Sequence, residues 1–416
     1  MRVQLWSYNY DPEPSGIAPL SGVWARAMAA RGHEIEVVAA HPHYPGPIWG
    51  HRLKPYRERR DGISIVRLPI WVGRGSALQR MRQEASFAAA LSLATPLLRT
   101  PDVIVAVSPS FPALVPAMVQ ARARRVPWVL WLQDILPDAA LMTGILEEGQ
   151  VVQLARRLER TAYRSASKVV VISESFKDNL RGKGVDETKL VRSYNPASRQ
   201  ILTAMRDPNG IEPTTVLTMG NIGHSQNLAN VVRSFEDSAA LDAVDARFVL
   251  AGDGEAGDDV RDAILTDRVH VTGLMESAPL DHELRRAAVA VVSQCYQGVD
   301  FNVPSKLMNF MAYGIPTVAS VHADSEVARI INASGGGWVT DSSDTGQLAT
   351  KLAEVLDDAP ALKARGEAAL MFAQRNFSPG HAAERFETTL LEVVHAGRER
   401  STNLHPLAEH GSDMNR

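Results

Sequence analysis

One cysteine in 416 residues, Cys295, leaves no internal disulfide and no cysteine-based zinc site. It closes the run Ala290-Val291-Val292-Ser293-Gln294-Cys295 and reads as a small buried side chain, suited to a reducing compartment. Charge of one sign is also lacking: the formal net charge is −3, and nothing in that total points to nucleic acid. Met1-Arg2-Val3-Gln4-Leu5-Trp6 is too short for a secretory leader and runs into polar residues. Residues 103–121 carry no charge, but Pro109, Pro112 and Pro116 interrupt them, so a strand, loop and helix fit better than a membrane span. No Asp-x-Asp occurs, so the usual holder of a diphosphate-bound cation is missing. His41 and His43 flank Pro42 without an evident carboxylate, and no metal site or cofactor is expected.

The rest of the composition is that of a folded chain. Apolar residues make up 45% and charged residues 22%, enough for two or three domains with large cores. Short Val/Ile/Leu runs alternate with helical patterns from end to end. The strand candidates are 3–5, 35–39, 63–68, 103–107, 128–132 and 169–172, then 216–219, 247–250, 269–272, 289–293 and 317–320. Continuous apolar runs of this kind belong to parallel strands covered on both faces, which gives an α/β class. Ile17, Leu20, Trp24, Ala27 and Met28 share a helical face ending before Gly32, and Asp344-Thr345-Gly346-Gln347 reads as a capping box. The segment 195–214 holds Pro196, Pro208, Asn209, Gly210 and Pro213 and no long apolar run, and marks the boundary between halves.

The most informative stretch runs from Val303 through Pro304-Ser305-Lys306 to Asn309-Phe310-Met311-Ala312-Tyr313-Gly314-Ile315-Pro316. Pro304 suits a helix first turn and Gly314 its end. A helix N-terminus offers free N–H groups and the positive end of a dipole, which suits a diphosphate. Lys306 opposes that dipole and so calls for an anionic partner, unless it is simply a solvated lysine.

Here the chain resembles glycosyltransferase family 4, the retaining enzymes of the GT-B fold. The Asn309–Pro316 run matches the second half of the family's helix hallmark. Arg31-Gly32-His33-Glu34-Ile35, Gly220-Asn221-Ile222-Gly223, Leu250-Ala251-Gly252-Asp253-Gly254 and Val271-Thr272-Gly273 follow in the family's order and spacing. Two departures stand out. The family's glutamates, eight positions apart, would fall at Phe301 and Asn309, and its Arg and Lys at Asn221 and Gln226; none of these is charged. Together with Pro304-Ser305-Lys306, they resemble a branch that builds bacterial exopolysaccharide and O-antigen, including colanic-acid and fucosamine-type transferases.

The resemblance implies two Rossmann-like doubly wound domains facing a central cleft: an acceptor-side domain over 1–200 and a nucleotide-sugar domain over 201–378. A helix at 379–396 would pack back on the first domain, and 397–416 would be a mobile tail. It implies a donor diphosphate on Pro304, Ser305 and Lys306, with Val303, Asn221, Gly223 and Gln226 around it. Asn309 would bind ribose, and the 271–275 loop, with Met275, would flank the base. In the first domain Gln133 replaces a common histidine beside Asp134. Asp134, with Asp138 as second candidate, would face the reacting sugar, or either could be a turn carboxylate. Gly16, in a loop after the first strand, would let the backbone approach ligand or would serve a plain turn. Gly252-Asp253-Gly254-Glu255-Ala256-Gly257 is not a dinucleotide fingerprint.

One feature is independent of the resemblance. Between 48 and 83, Arg52, Lys54, Arg57, Arg59, Arg60, Arg67, Arg74, Arg80 and Arg82 face only Glu58 and Asp61, a local charge of +7. Residues 85–98 then carry no charge. A buried helix is the default reading; a basic surface beside an apolar helix can also dock on anionic lipid. The expected protein is a cytoplasmic transferase, peripheral on the inner face of the plasma membrane, using a nucleotide-sugar donor and a polyprenyl-diphosphate-linked acceptor. A sugar-nucleotide epimerase of the same architecture and a non-catalytic nucleotide-sugar-binding subunit are the alternatives.

Overall fold

The structure is a computed structural model that describes residues 1–14, 16–44, 49, 52–73, 77–108, 110, 112–135, 149–197, 206–295 and 303–403. It divides into two units. The first takes Met1–Ile172, Lys177–Ser193 and Ala382–Arg416; the second takes Ser173–Phe176 and Tyr194–His381.

The first unit is built on eight strands: β1 (Arg2–Ser7), β2 (Glu34–Ala40), β3 (Tyr56–Arg60), β4 (Ile63–Leu68), β5 (Val103–Val107), β6 (Trp128–Leu132), β7 (Lys168–Val171) and β8 (Leu190–Arg192). Their order is β3-β4-β2-β1-β5-β6-β7-β8. Every neighbour pair is parallel except β3 with β4. The apolar strands β5 and β6 are buried along their whole length, as their unbroken Val/Leu/Trp composition requires. Trp24, from the helix Ile17–Ala30, meets Trp131 of β6 with ring centroids 5.7 Å apart. Phe386, from the helix Pro379–Asn403, closes against both rings. That last helix therefore supplies core to the first unit through Ala383, Phe386, Leu390 and Val393. It also continues past Gly397, where an irregular tail is expected from the sequence, as far as Asn403.

The second unit carries β9 (Glu212–Met219), β10 (Arg247–Ala251), β11 (Val269–Val271), β12 (Ala287–Ser293), β13 (Thr317–Ser320) and β14 (Gly337–Thr340), in the order β11-β10-β9-β12-β13-β14 and all parallel. The order reverses between β9 and β12. In an open parallel sheet that reversal opens a crevice beyond the carboxyl strand ends, where ligands bind. The helix Thr345–Leu356 starts as its sequence predicts, with Asp344 accepting from the N–H groups of Gly346 and Gln347.

Three strands lack an apolar run and are not among the sequence candidates: β3, β8 and β14. Each lies at or next to a sheet edge, where one face need not be apolar. The signal for β3 is its turn. Asp61-Gly62 is a two-residue hairpin loop with both residues at positive φ, 51° and 80°. The 85–98 stretch also departs from the buried-helix default. The helix Ala77–Ala94 buries Phe87 and Leu91 on one side. Met81, Ala85, Ala89 and Leu93, four residues apart, form an exposed row on the other, and Leu97 is exposed in the 3-10 turn that follows. Beside it the helix Leu114–Arg124 exposes Val115 and Val119. Arg67 is a correction to the basic patch: it is fully buried, ion-paired to Glu58 at 2.8 Å and bonded to the carbonyls of Ala40 and Asp11. No helix among the described residues is long and apolar enough to cross a membrane.

Candidate functional site

In the second unit the loops after β9 and β10 run together beside the sheet's reversal point. After β9 the chain turns at Gly220, at φ 96°, and its N–H reaches the carbonyl of Ala251. Ile222 N–H reaches the carbonyl of Asp253, so Gly220–Gly223 and Gly252–Gly254 run against each other. The contact is so close that a Cβ on Gly252 would lie 1.8 Å from the Gly220 oxygen. Glycine is needed here for backbone approach, not for a dinucleotide fingerprint. After β11 comes Gly273, at φ 74°. After β12 the chain leads to the helix Ser305–Ala312.

That helix differs from its neighbours at its start. Ser325, Asp344 and Asp358 cap theirs with a side chain, whereas Pro304 has no acceptor to offer. Leu307, Phe310 and Met311 bury one face, and Ser305, Lys306 and Asn309 lie on the more open one. Lys306 is half-buried and its Nζ donates to Gln226 Oε1 at 2.6 Å. Gln226 in turn donates to the carbonyl of Asn221 at 2.5 Å, so the amide is oriented with its oxygen toward the ammonium. No carboxylate pairs with Lys306 among the described residues. Burial pushes the ammonium down from its ordinary value to about 8. Asn309 makes no side-chain hydrogen bond among the described residues and stays available to a hydroxyl.

The structure thus brings Asn221, Gly223, Gln226, Pro304, Ser305, Lys306 and Asn309 to one end of one sheet. Met275 and Val303 pack against the core beneath, so they seat the loops; Leu274, next to Met275, is exposed. Phe301 lies outside the described residues.

In the first unit, Gln133 and Asp134 follow β6 directly. The Gln133 N–H donates to Ser108 Oγ at 3.0 Å, tying the loop to the end of β5. Burial raises the Asp134 carboxyl above its ordinary value, offset in part by the Ile135 N–H. Gly16 caps the helix Ile17–Ala30 at φ 66°, ψ −140°, a conformation open essentially to glycine alone, with open space where a Cβ would stand. Asp138 lies outside the described residues.

Sequence reasoning misses Glu326. This fully buried carboxylate, at the start of the helix Glu326–Ser334, accepts from the N–H groups of Glu174 and Ser175, the Ser175 hydroxyl at 2.9 Å and Tyr194. Its only sequence signal is a polar Ser325-Glu326 pair after an apolar strand. Among the described residues no three His, Cys, Asp or Glu side chains come together as a metal would require.

Two doubly wound sheets, parallel but for the β3–β4 pair, are the architecture of a GT-B protein. The Glycosyl transferase 4-like domain matches residues 15–196 and the Glycosyl transferases group 1 domain matches residues 213–358. Over 359 residues the chain is 28% identical to the putative colanic acid biosynthesis glycosyl transferase WcaI of Escherichia coli K12, covering 79% of this chain and 86% of that one. It is 27% identical over 271 residues to the probable glycosyltransferase WbjE of Pseudomonas aeruginosa, covering 62% and 66%. The fold is similar to that of Anabaena Alr3699/HepE, solved in complex with UDP, with a TM-score of 0.67 at 15% identity over 94% of this chain and 100% of that one. The chain belongs to glycosyltransferase family 4.

Proposed function

We propose that the protein moves a sugar, with retention of anomeric configuration, from a nucleotide-sugar donor to a lipid-linked glycan acceptor in bacterial surface polysaccharide synthesis. The observation that carries the donor reading is Lys306, a desolvated ammonium in the first turn of an uncapped helix, held among the described residues by a neutral amide. A diphosphate supplies the missing anion there, meets the first-turn N–H groups and accepts a charge-assisted bond. Asn309 then lies one helical turn further on, within the same open face, for the ribose hydroxyls. The UDP bound by Alr3699/HepE supports a nucleotide donor.

Without a carboxylate at 301 or 309, the donor half supplies position and charge, and rate comes from orientation and stabilisation of the leaving diphosphate. Asp134, whose raised pKa comes from desolvation, serves as the hydroxyl-binding group of the first unit. The name of the Escherichia coli relative supports the polysaccharide role. Exposed Trp71, Met81, Leu93 and Leu97 together with exposed Arg57, Arg59 and Arg82 support docking on an anionic membrane, where a polyprenyl-diphosphate acceptor is found.

A panel of nucleotide sugars, with transfer and donor hydrolysis both measured, tests the reading. Transfer or slow hydrolysis of one donor is expected. Interconversion of sugars without an acceptor means an epimerase, and tight nucleotide binding with no turnover of any donor means a binding subunit.

A further inference from the structure

A second polar cavity lies wholly within the first unit, at the edge formed by β3. It measures about 150 Å³ and is lined by Pro12, His41, Trp49, Arg52, Tyr56, Glu58 and Arg60, with Pro42 beside His41. Tyr56, Glu58 and Arg60 alternate along β3 and so share one face of the strand. His41 follows β2 directly and is only 5% exposed. The main chains of Arg52 and Arg67 lie near its ring, yet neither ring nitrogen completes a hydrogen bond. A buried polar ring left so is stabilised by anything in the cavity that bonds to it.

The charges around that ring are uneven. Glu58 is committed to the buried Arg67 at 2.8 Å. Arg52 and Arg60 have no carboxylate partner among the described residues. The Arg52 guanidinium stands over the Tyr56 ring at 4.7 Å, held in place by a cation–π contact that leaves its N–H groups free. The cavity therefore presents two guanidinium groups without a carboxylate partner among the described residues, a buried imidazole and the Trp49 ring, while the Tyr56 ring is taken up by Arg52 and His41. Guanidinium forks match carboxylate and phosphate. Aromatic faces match the C–H faces of a sugar ring. The volume has room for one anionic group and the ring that bears it, not for an oligosaccharide.

We infer that this cavity is a subsite for an anionic sugar: a residue of the acceptor glycan carrying a carboxylate or a phosphate, gripped by Arg52 and Arg60 and bonded by His41. The inference rests on the acceptor reading of the first unit. Its test reads binding without turnover, so that a failure of transfer and a failure of this subsite are told apart.

The full chain labelled with ¹³C at histidine Cε1 is titrated with glucuronate, glucose 6-phosphate, inorganic phosphate and glucose, and the His41→Gln variant assigns the His41 resonance. Glucuronate, glucose 6-phosphate or both should shift that resonance saturably, and which one does so identifies the anion. Replacing Arg52 and Arg60 by Ala, both exposed and so not needed for folding, should weaken that binding by about tenfold or more while the other histidine resonances stay in place. Four results overturn the inference. They are no saturable shift with either anionic sugar at tens of millimolar, equal binding of glucose, equal binding of inorganic phosphate, and binding indifferent to the loss of both arginines.

Discussion

Lys306 Nζ donates to Gln226 Oε1 at 2.6 Å, and these two residues are 80 positions apart in sequence. Family resemblance expects a basic residue near position 226. Two ammonium groups at that distance would repel, so a glutamine there is what allows the lysine to occupy the place. The amide orients the ammonium without neutralising it, which keeps its charge for a ligand.

The first prediction concerns that lysine. Lys306→Ala should remove a charge-assisted contact to the donor diphosphate, worth about 1.5–3 kcal/mol. The dissociation constant for the preferred nucleotide sugar, read by calorimetry, should rise by about tenfold or more. Folding should survive, since the variant loses only a bond to a neutral amide. An unchanged dissociation constant removes Lys306 from the donor site.

A pH dependence follows from the same group. Its value in the free protein is about 8, below the ordinary lysine value because of burial. A bound diphosphate stabilises the charged form and raises the value, so binding takes up a proton near pH 8. Affinity should be level below that pH and fall as pH rises through it, by roughly tenfold between pH 7 and pH 9. Calorimetry in two buffers of different ionisation enthalpy measures the proton. Lys306→Ala should flatten the profile; a wild-type affinity constant across this range contradicts the assignment.

Glu326 is predicted to matter for stability more than for donor affinity. Its carboxylate satisfies two backbone N–H groups and two hydroxyls in a fully buried position. Glu326→Ala leaves those donors without a partner and should cost about 2–3 kcal/mol in urea unfolding. Glu326→Gln keeps an acceptor oxygen and should cost less. If Ala and Gln variants unfold at the wild-type midpoint, the network contributes nothing.

The parts of this molecule that were legible in the sequence are those whose physics is local. Buried parallel strands require continuous apolar runs, so β5, β6, β9 and β12 announce themselves, and Pro304 and Gly314 mark the ends of a helix. What escaped depends on partners distant in the chain. The edge strand β3 reads Tyr-Arg-Glu-Arg-Arg because its neighbours, not its own composition, hold it in the sheet. Arg67 looks like one more charge in a basic run, and only β4's position beside Glu58 and Ala40 makes it a buried ion-pair partner. Glu326 carries no pattern at all, since its donors come from 151 and 132 residues earlier in the chain. Lys306 stands out from its helix position and Gln226 from the family's spacing, but the bond between them, across 80 residues, does not.

The last prediction is that the first unit docks on anionic membrane. Leu93, near the end of the helix, and Leu97, in the turn after it, are 77% and 84% exposed, and Trp71 is 79% exposed beyond β4. Large apolar side chains left out of the core in a continuous row mark an interaction surface. Arg57, Arg59 and Arg82 are exposed as well, and each cation near an anionic bilayer contributes about 1 kcal/mol. A lipid surface fits both the apolar row and the cations, whereas a soluble acceptor explains neither. In flotation assays the protein should bind vesicles containing phosphatidylglycerol, ignore neutral ones, and be released in part by high salt. Arg57→Ser with Arg59→Ser should weaken the binding and its salt dependence together. Leu93→Ser with Leu97→Ser should weaken it while leaving the salt dependence as it was, because apolar insertion is not screened. Donor affinity should be unchanged in both variants. If wild type shows no preference for anionic vesicles at low salt, the exposed row serves another partner and the acceptor is soluble.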